Sequence, residues 1–166
     1  RIGKRIATVA HAFGINVLGC DLLDEADIRK ELPGVPFDFV DHATLYAKSD
    51  IVTVHTDGRP RNRQLINKEA LSQLRDDVLF INAARGMLVD HAALATWLEA
   101  HPEATAVLDV HDPEPPAEDH PLYTCDNAVL LPHLASRTDT ALKNMSWVVR
   151  DVVAVLEGKE PAFSAV

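Results

Sequence analysis

The chain reads as an α/β protein built on a doubly wound parallel sheet with helices on both faces. Three observations predict this. Four short apolar runs, Ile51–Val54, Val78–Ile81, Thr105–Val110 and Ala128–Leu131, have the length and flanks of buried strands. Stretches with helical spacing separate the first three, and strands alternating with helices belong to parallel sheets. The last stretch, Thr138 to Glu157, carries Ala141, Leu142, Met145, Val148, Val149, Val152, Val153 and Leu156 as one continuous helical stripe.

In order along the chain, Ile6, Val9, Ala10 and Phe13 share one face of a helix from Gly3 to Phe13, and Gly14 stops it. Ile15–Cys20 reads as a strand closed by Asp21. A polar stretch follows with Pro33, Gly34 and Pro36, either loop or a short helix over Asp24–Leu32. A short strand at Phe37–Val40 and a helix from Asp41 to Lys48 lead into Ile51–Val54. His55 to Arg63 is an arginine-rich loop, and Asn67 caps a helix running to Leu74. After the Val78–Ile81 strand, Asp90 caps a helix from His91 to His101. A proline- and acid-rich loop, His111 to Asp126, joins the last two strands. No internal repeat, low-complexity segment or interior domain boundary is evident.

Composition narrows the function. A length of 166 residues suffices for one domain with a core. No segment approaches the ~18 apolar residues of a membrane span, and no secretory signal opens the chain. A net charge of −9 disfavours nucleic acid, whose phosphates need a basic face. Cys20 and Cys125 form neither a disulfide framework nor a zinc pattern, which fits a reducing cytoplasm. His111, Asp112, Glu114, Asp119 and His120 lack the regular spacing of zinc ligands, so no metal is expected.

Right-handed crossovers place every strand's carboxyl end on one edge of such a sheet, where ligands bind. Asp21, His55, Asn82–Arg85, Asp109–Glu114 and Pro132-His133 all follow strands and are expected to line one cleft. The centre of that edge is Phe-Ile-Asn-Ala-Ala-Arg-Gly-Met-Leu-Val-Asp, Phe80 to Asp90. Arg85 there offers a fixed fork of donors suited to a carboxylate. Each residue alone has a plainer reading: a surface arginine beside a turn, a solvated Glu114, a loop histidine at His133.

Together the segments Asn82-Ala83-Ala84-Arg85-Gly86 with Leu88-Val89-Asp90, Leu108-Asp109-Val110 with Pro113-Glu114-Pro115, and Leu131-Pro132-His133 resemble the nucleotide-binding domain of the D-2-hydroxyacid dehydrogenase family, including its phosphoglycerate dehydrogenase-like members. The resemblance covers nearly the whole chain. It implies a Rossmann-type fold, NAD as cofactor, a small 2-hydroxy or 2-keto acid as substrate, and a homodimer as the full-length parent. It also implies that Arg85, Glu114 and His133 are catalytic. Chemically, Arg85 would hold the substrate carboxylate and carbonyl, His133 would exchange the proton, and Glu114 would orient His133. Histidine's ordinary pKa, close to neutrality, suits it to both directions of proton transfer.

Dinucleotide folds place a glycine-rich turn before a helix, and an acidic residue about 20 positions on takes the ribose hydroxyls. Asp21 lies 18 positions after Gly3 and would serve, favouring NAD over its phosphorylated form. By the resemblance, Arg1 and Ile2 lie at the pyrophosphate beside Gly3. His55, Ala83, Ala84, Arg85, Asp109, His133, Ala135 and Ser136 complete the cofactor set. His111 and Cys20 stand where the family often has aromatic residues and are read as packing variation.

The chain opens inside the glycine motif, so the first, central strand of the sheet is expected to lie upstream, leaving two strand edges unpaired. Residues 1–157 would be the dinucleotide-binding domain, incomplete at its N-terminus, and residues 158–166 a stub leading towards a substrate domain. The alternative function is an NAD(H)-sensing regulatory module without turnover, as in corepressors that resemble the family. The joint presence of Arg85, Glu114 and His133 favours the enzyme, since a sensor needs no acid–base pair. The 166-residue chain alone is expected to turn over poorly or not at all; hydride transfer at a full-length enzyme's rate in a spectrophotometric assay would contradict this.

Overall fold

The structure is a computed structural model that describes residues 2–162. In chain order its elements are α1 (Ile2–Ala12), β1 (Leu18–Gly19), α2 (Glu25–Glu31), β2 (Asp38–Phe39), α3 (His42–Lys48), β3 (Ile51–Val54), α4 (Lys68–Leu71), β4 (Leu79–Asn82), α5 (His91–Ala100), β5 (Thr105–Leu108), β6 (Ala128–Leu130), α6 (Asp139–Ser146) and α7 (Val148–Leu156). Short 3₁₀ turns cover Pro60–Asn62, Gly86–Leu88, Pro121–Thr124 and Leu134–Ser136. Two units form, Arg1–Pro132 and His133–Val166.

In the first unit all pairing is parallel. β3, β4, β5 and β6 lie side by side in that order, and β1 pairs with β2 in a separate two-stranded sheet. In the larger sheet Val54, Asn82 and Leu108 are aligned across neighbouring strands, with Leu130 opposite Leu108. The four carboxyl ends are therefore level. Among the described residues β1 and β3, like β2 and β6, each pair with a strand on one side only.

Apolar alternation explains the core. Val52, Val54, Phe80, Ala106 and Leu108 are buried on the strands and pack with Leu71, Leu88, Leu94, Leu98 and Leu122. Ile28, Leu32 and Phe37 make a smaller cluster beside the two-stranded sheet. The helix starts are fixed by side-chain caps: Asp41, Asn67 and Asp90 accept from the N–H groups of Thr44, Ala70 and Ala93. At the other end of α5, the Asn127 amide nitrogen lies 3.0–3.2 Å from the carbonyls of Leu98, His101 and Ala104, tying the helix end and the turn after it to the start of β6.

Several elements are shorter than their sequence patterns suggest. Within Ile15–Cys20 only Leu18 and Gly19 pair, because β2 offers just two residues; Ile15 is exposed. The Asn67–Leu74 helix ends at Leu71, where Gln73 and Leu74 continue as tight i→i−3 turns. The fifth strand stops at Leu108, not Val110. Ile6, Val9 and Phe13 do share a face of α1, but that face is exposed.

In the second unit, Thr138 caps α6, its hydroxyl accepting from the Ala141 N–H. The single helix expected over Thr138–Glu157 is interrupted at Trp147. There the Ser146 hydroxyl donates back to the Leu142 carbonyl and Trp147 N–H bonds the Asn144 carbonyl, tightening the turn. α7 ends before Gly158, whose φ of +73° closes it.

One close approach joins two loops of the larger sheet. A Cβ at Gly86 would lie 2.0 Å from the carbonyl of His111, so only glycine fits. Gly86→Ala is expected to force the loops apart and cost about 3 kcal/mol, as overpacking at a rigid backbone does; the midpoint of urea denaturation measures it.

Candidate active site

β4 ends in a fully buried asparagine. The Asn82 carboxamide donates to the Arg85 carbonyl at 2.9 Å and accepts from the Ala84 N–H at 3.1 Å. It thus folds Ala83–Arg85 into a closed turn on the sheet's carboxyl edge. The Asn82 backbone carbonyl accepts from the N–H of Asp109, tying the ends of β4 and β5 together. Asp109 itself is buried.

Arg85 is exposed on this turn. Its guanidinium donates to the Ala84 carbonyl at 2.6 Å, and its aliphatic stem lies over Gly58, in the loop after β3, where a Cβ would come within 2.8 Å of Cγ. Behind it, Gly86 packs on the backbone of His111 and Asp112. The Arg63–Asp112 ion pair, 2.7 Å, joins the loop after β3 to the one after β5. Gln64, at φ +52°, and Ile66 donate backbone N–H groups to Met87 and Leu88. Arg85 therefore stands on three mutually braced loops. Glu114 belongs to the last of them and is exposed.

His55 follows β3, with Nε2 3.2 Å from the Thr53 hydroxyl. Its ring lies against Gly3, where an added Cβ would sit 3.5 Å from Cγ and Cδ2, so the first turn of α1 meets the residue after β3. Ile2 is exposed at the start of α1, and Arg1 lies outside the described residues. Asp21 is exposed after β1, on the smaller sheet, with Oδ1 accepting from Leu23 N–H at 3.0 Å. The helix start and this carboxylate have the donor and acceptor chemistry to hold a dinucleotide's pyrophosphate and ribose.

His133, Ala135 and Ser136 belong to the second unit. His133 has φ +55° and ψ +55°, a left-handed conformation uncommon for any residue but glycine. It precedes the 3₁₀ turn Leu134–Ser136, and the Ser136 hydroxyl lies 3.5 Å from its carbonyl.

Three features were not read from the sequence: the amide bracket of Asn82, the seat of Arg85 on Gly58, and the role of His111. The first had a visible signal, a polar residue closing an apolar strand. His111 is more than packing variation, for its Nε2–H donates to the Leu131 carbonyl at 2.8 Å, a bond no carbocyclic ring could make. Among the described residues no group of three or more potential ligands is arranged to hold a metal ion, and no helix is long and apolar enough to cross a membrane.

Removing the bracket is expected to loosen the turn. Asn82→Ala leaves Ala84 N–H and the Arg85 carbonyl without their partner, at a cost of about 1–3 kcal/mol. Asn82→Asp keeps the acceptor, loses the donor and should be similarly damaging. Denaturation midpoints and faster hydrogen exchange at Ala84 are the measurements.

Comparison with known proteins agrees with this architecture. Residues 1–135 match the family described as D-isomer specific 2-hydroxyacid dehydrogenase, NAD binding domain. D-3-phosphoglycerate dehydrogenase of Archaeoglobus fulgidus is 38% identical over 159 residues, spanning 95% of this chain and 30% of that protein. Glyoxylate reductase of Thermofilum pendens is 38% identical over 162 residues, 97% of this chain and 47% of that one. Among solved structures, D-lactate dehydrogenase with NAD+ from Lactobacillus jensenii superposes with a TM-score of 0.80 at 30% identity, covering 99% of this chain and 52% of that one. The chain thus spans between 30% and 47% of the length of those two curated relatives. With its Rossmann-type architecture and 135 of its 166 residues matching that NAD-binding domain, the chain belongs to the D-isomer specific 2-hydroxyacid dehydrogenases.

Proposed function

We propose that the chain is the cofactor-binding and catalytic part of an NAD-dependent dehydrogenase interconverting a small D-2-hydroxy acid and its 2-keto acid. Residues 1–157 act as the dinucleotide-binding domain, and residues 158–166 lead towards a substrate domain. The full-length protein is read as a cytoplasmic homodimer by likeness to the family. The observation that supports the reading best is the mounting of Arg85 on a braced turn at the carboxyl edge of the sheet, one loop from Glu114.

In this reading the start of α1, with Arg1, Ile2 and Gly3, cradles the pyrophosphate of NAD, and Asp21 takes the ribose hydroxyls. His55, Ala83, Ala84 and Asp109 line the cofactor's path along the sheet edge, with Ala135 and Ser136 near its nicotinamide end. Bound NAD supplies hydride transfer at the substrate's second carbon. Arg85 binds the substrate carboxylate and stabilises charge gathering on the carbonyl oxygen. His133 gives its proton to that oxygen during reduction and recovers it during oxidation. Glu114 is assigned the task of orienting the His133 ring and balancing its charge when protonated. The unusual backbone of His133 fits a residue held for a task, since such conformations concentrate at working sites.

NADH oxidation by the full-length protein against glyoxylate, pyruvate, hydroxypyruvate and the keto form of 3-phosphoglycerate tests the reading. Turnover of at least one is expected, and silence across the panel with intact NADH binding would overturn it. Arg85→Gln is expected to lower kcat/KM by about 10²–10³, the loss typical of one transition-state donor, while leaving NADH affinity nearly unchanged. An equal loss of NADH affinity would leave Arg85 with the cofactor contact alone and remove its role towards the substrate.

A further inference from the structure

Three imidazoles from distant parts of the chain are buried together. His91 opens α5 behind its cap Asp90, His111 starts the loop after β5, and His120 ends that loop before the Pro121–Thr124 turn. Each is more than nine-tenths buried. Ring centroids are 4.9 Å apart for His91 and His120, 6.0 Å for His111 and His120, and 6.5 Å for His91 and His111.

The hydrogen bonds among them do not close. His111 Nε2 faces the Leu131 carbonyl and must carry a proton, which makes Nδ1 a bare acceptor when the ring is neutral. His91 Nδ1 and His120 Nε2, 3.0 Å apart, share one hydrogen. Whichever ring donates it, the other carries its own proton on its far nitrogen. His91 Nε2, His111 Nδ1 and His120 Nδ1 are all buried without a hydrogen-bond partner. The neutral cluster therefore holds one orphaned N–H and two orphaned lone pairs, an arrangement that is stable only while its packing is intact. No three donors here converge on a metal position, so the proton is the ligand the cluster can answer to.

We propose that His91, His111 and His120 form a proton-operated clasp, which when neutral pins the Asp112–Asp119 loop to the first turn of α5 and when protonated lets that loop go. The clasp itself depends only on this geometry; its effect on catalysis rests on the role given above to Glu114, which the loop carries. An open cavity of about 360 Å³, lined by Arg63, Asp90, His91, Asp112, Asp119 and His120, gives a charged ring a route to water. The groups facing the cluster are Asp90 from α5, Arg63 from the preceding loop, Asp112 and Asp119 from the pinned loop, and Tyr123 from the turn behind His120. Asp112 is already paired with Arg63. Burial first, then the neighbouring His120 and His111, pushes the pKa of His91 down to about 4 against 6.5 for a free imidazole; Asp112 and Asp90 oppose this weakly. Burial and His111 also push His120 down. A base depressed in the closed form binds protons better when open, so closure weakens as pH falls from about 6.5 towards 4.

Amide hydrogen exchange of the full-length protein, corrected for the intrinsic effect of pH, tests this at pH 7 and pH 5. The His91 shift alone predicts opening of segment 111–120 increased about twentyfold at pH 5, ahead of the β3–β6 sheet. His91→Gln with His120→Gln keeps polar side chains but cannot titrate, and should flatten that rise to below about threefold. An unchanged rise in the double variant, or no rise in the parent, would overturn the proposal. Should the double variant not fold, the proton resonances of the parent's His91 ring decide: titration below pH 5.5 supports the clasp and titration at 6.5 or above refutes it. A melting temperature raised by Zn²⁺ at pH 7 and abolished by His91→Gln would also overturn it, by making the cluster a metal site.

Discussion

The carboxamide of Asn82 is the interaction on which the arrangement of the site depends. β4 lies inside the sheet, paired on both sides, and delivers the chain to the sheet's edge at Asn82. A polar side chain buried there must find partners, and it finds them in the turn it begins. Each such bond is worth only about 1 kcal/mol net, yet leaving either group unpaired in the interior costs more than making the bond gains. The asymmetry makes the turn closed by default. Arg85 then leaves the turn in a fixed direction, and Gly86 follows it against the His111 backbone with no room for a side chain.

The larger sheet was legible because its signal is local. Ile51–Val54, the run around Phe80 and Thr105–Leu108 are short, apolar and bounded, and a buried parallel strand needs little else. The caps Asn67 and Asp90 were legible for the same reason, since a helix start is decided within four residues. The shortening of Ile15–Cys20 was not, because pairing depends on a neighbour: with β2 contributing two residues and no other strand beside it among the described residues, β1 has no ladder to extend into. In the site, Arg85 could be picked out by the glycine after it and the strand before it. Gly58 could not, since its only mark is the path another loop's side chain takes across it.

Helical periodicity has a similar reach and a similar limit. Ile6, Val9 and Phe13 on α1, and Val148, Val149, Val152 and Val153 on α7, have the spacing of buried faces and are exposed. A periodic pattern records that a face is apolar; burial also requires a surface opposite it. In α6 and α7 the spacing revealed the helical stretch, whereas the break at Trp147 came from a backbone competition that the apolar pattern does not encode.

His111 shows why aromatic size alone is an incomplete description of a packed position. Its carbonyl is the surface on which Gly86 rests, its Nε2–H reaches the Leu131 carbonyl beyond β6, and its ring lies edge-on to His91 and His120. A phenyl ring could fill that volume, but it would leave the Leu131 carbonyl without this donor and would remove the part that His111 plays in holding down the pKa of His91 and His120. A tyrosine would place its donor farther from the ring and at a different angle. His111 therefore couples three things, the first through its backbone and the others through its ring: the turn that holds Arg85, the exit of the last strand, and the loop that carries Glu114. Residues 91, 111 and 120 share no periodicity and no motif, so the coupling exists only once the parallel sheet has brought the start of α5 beside the loop after β5.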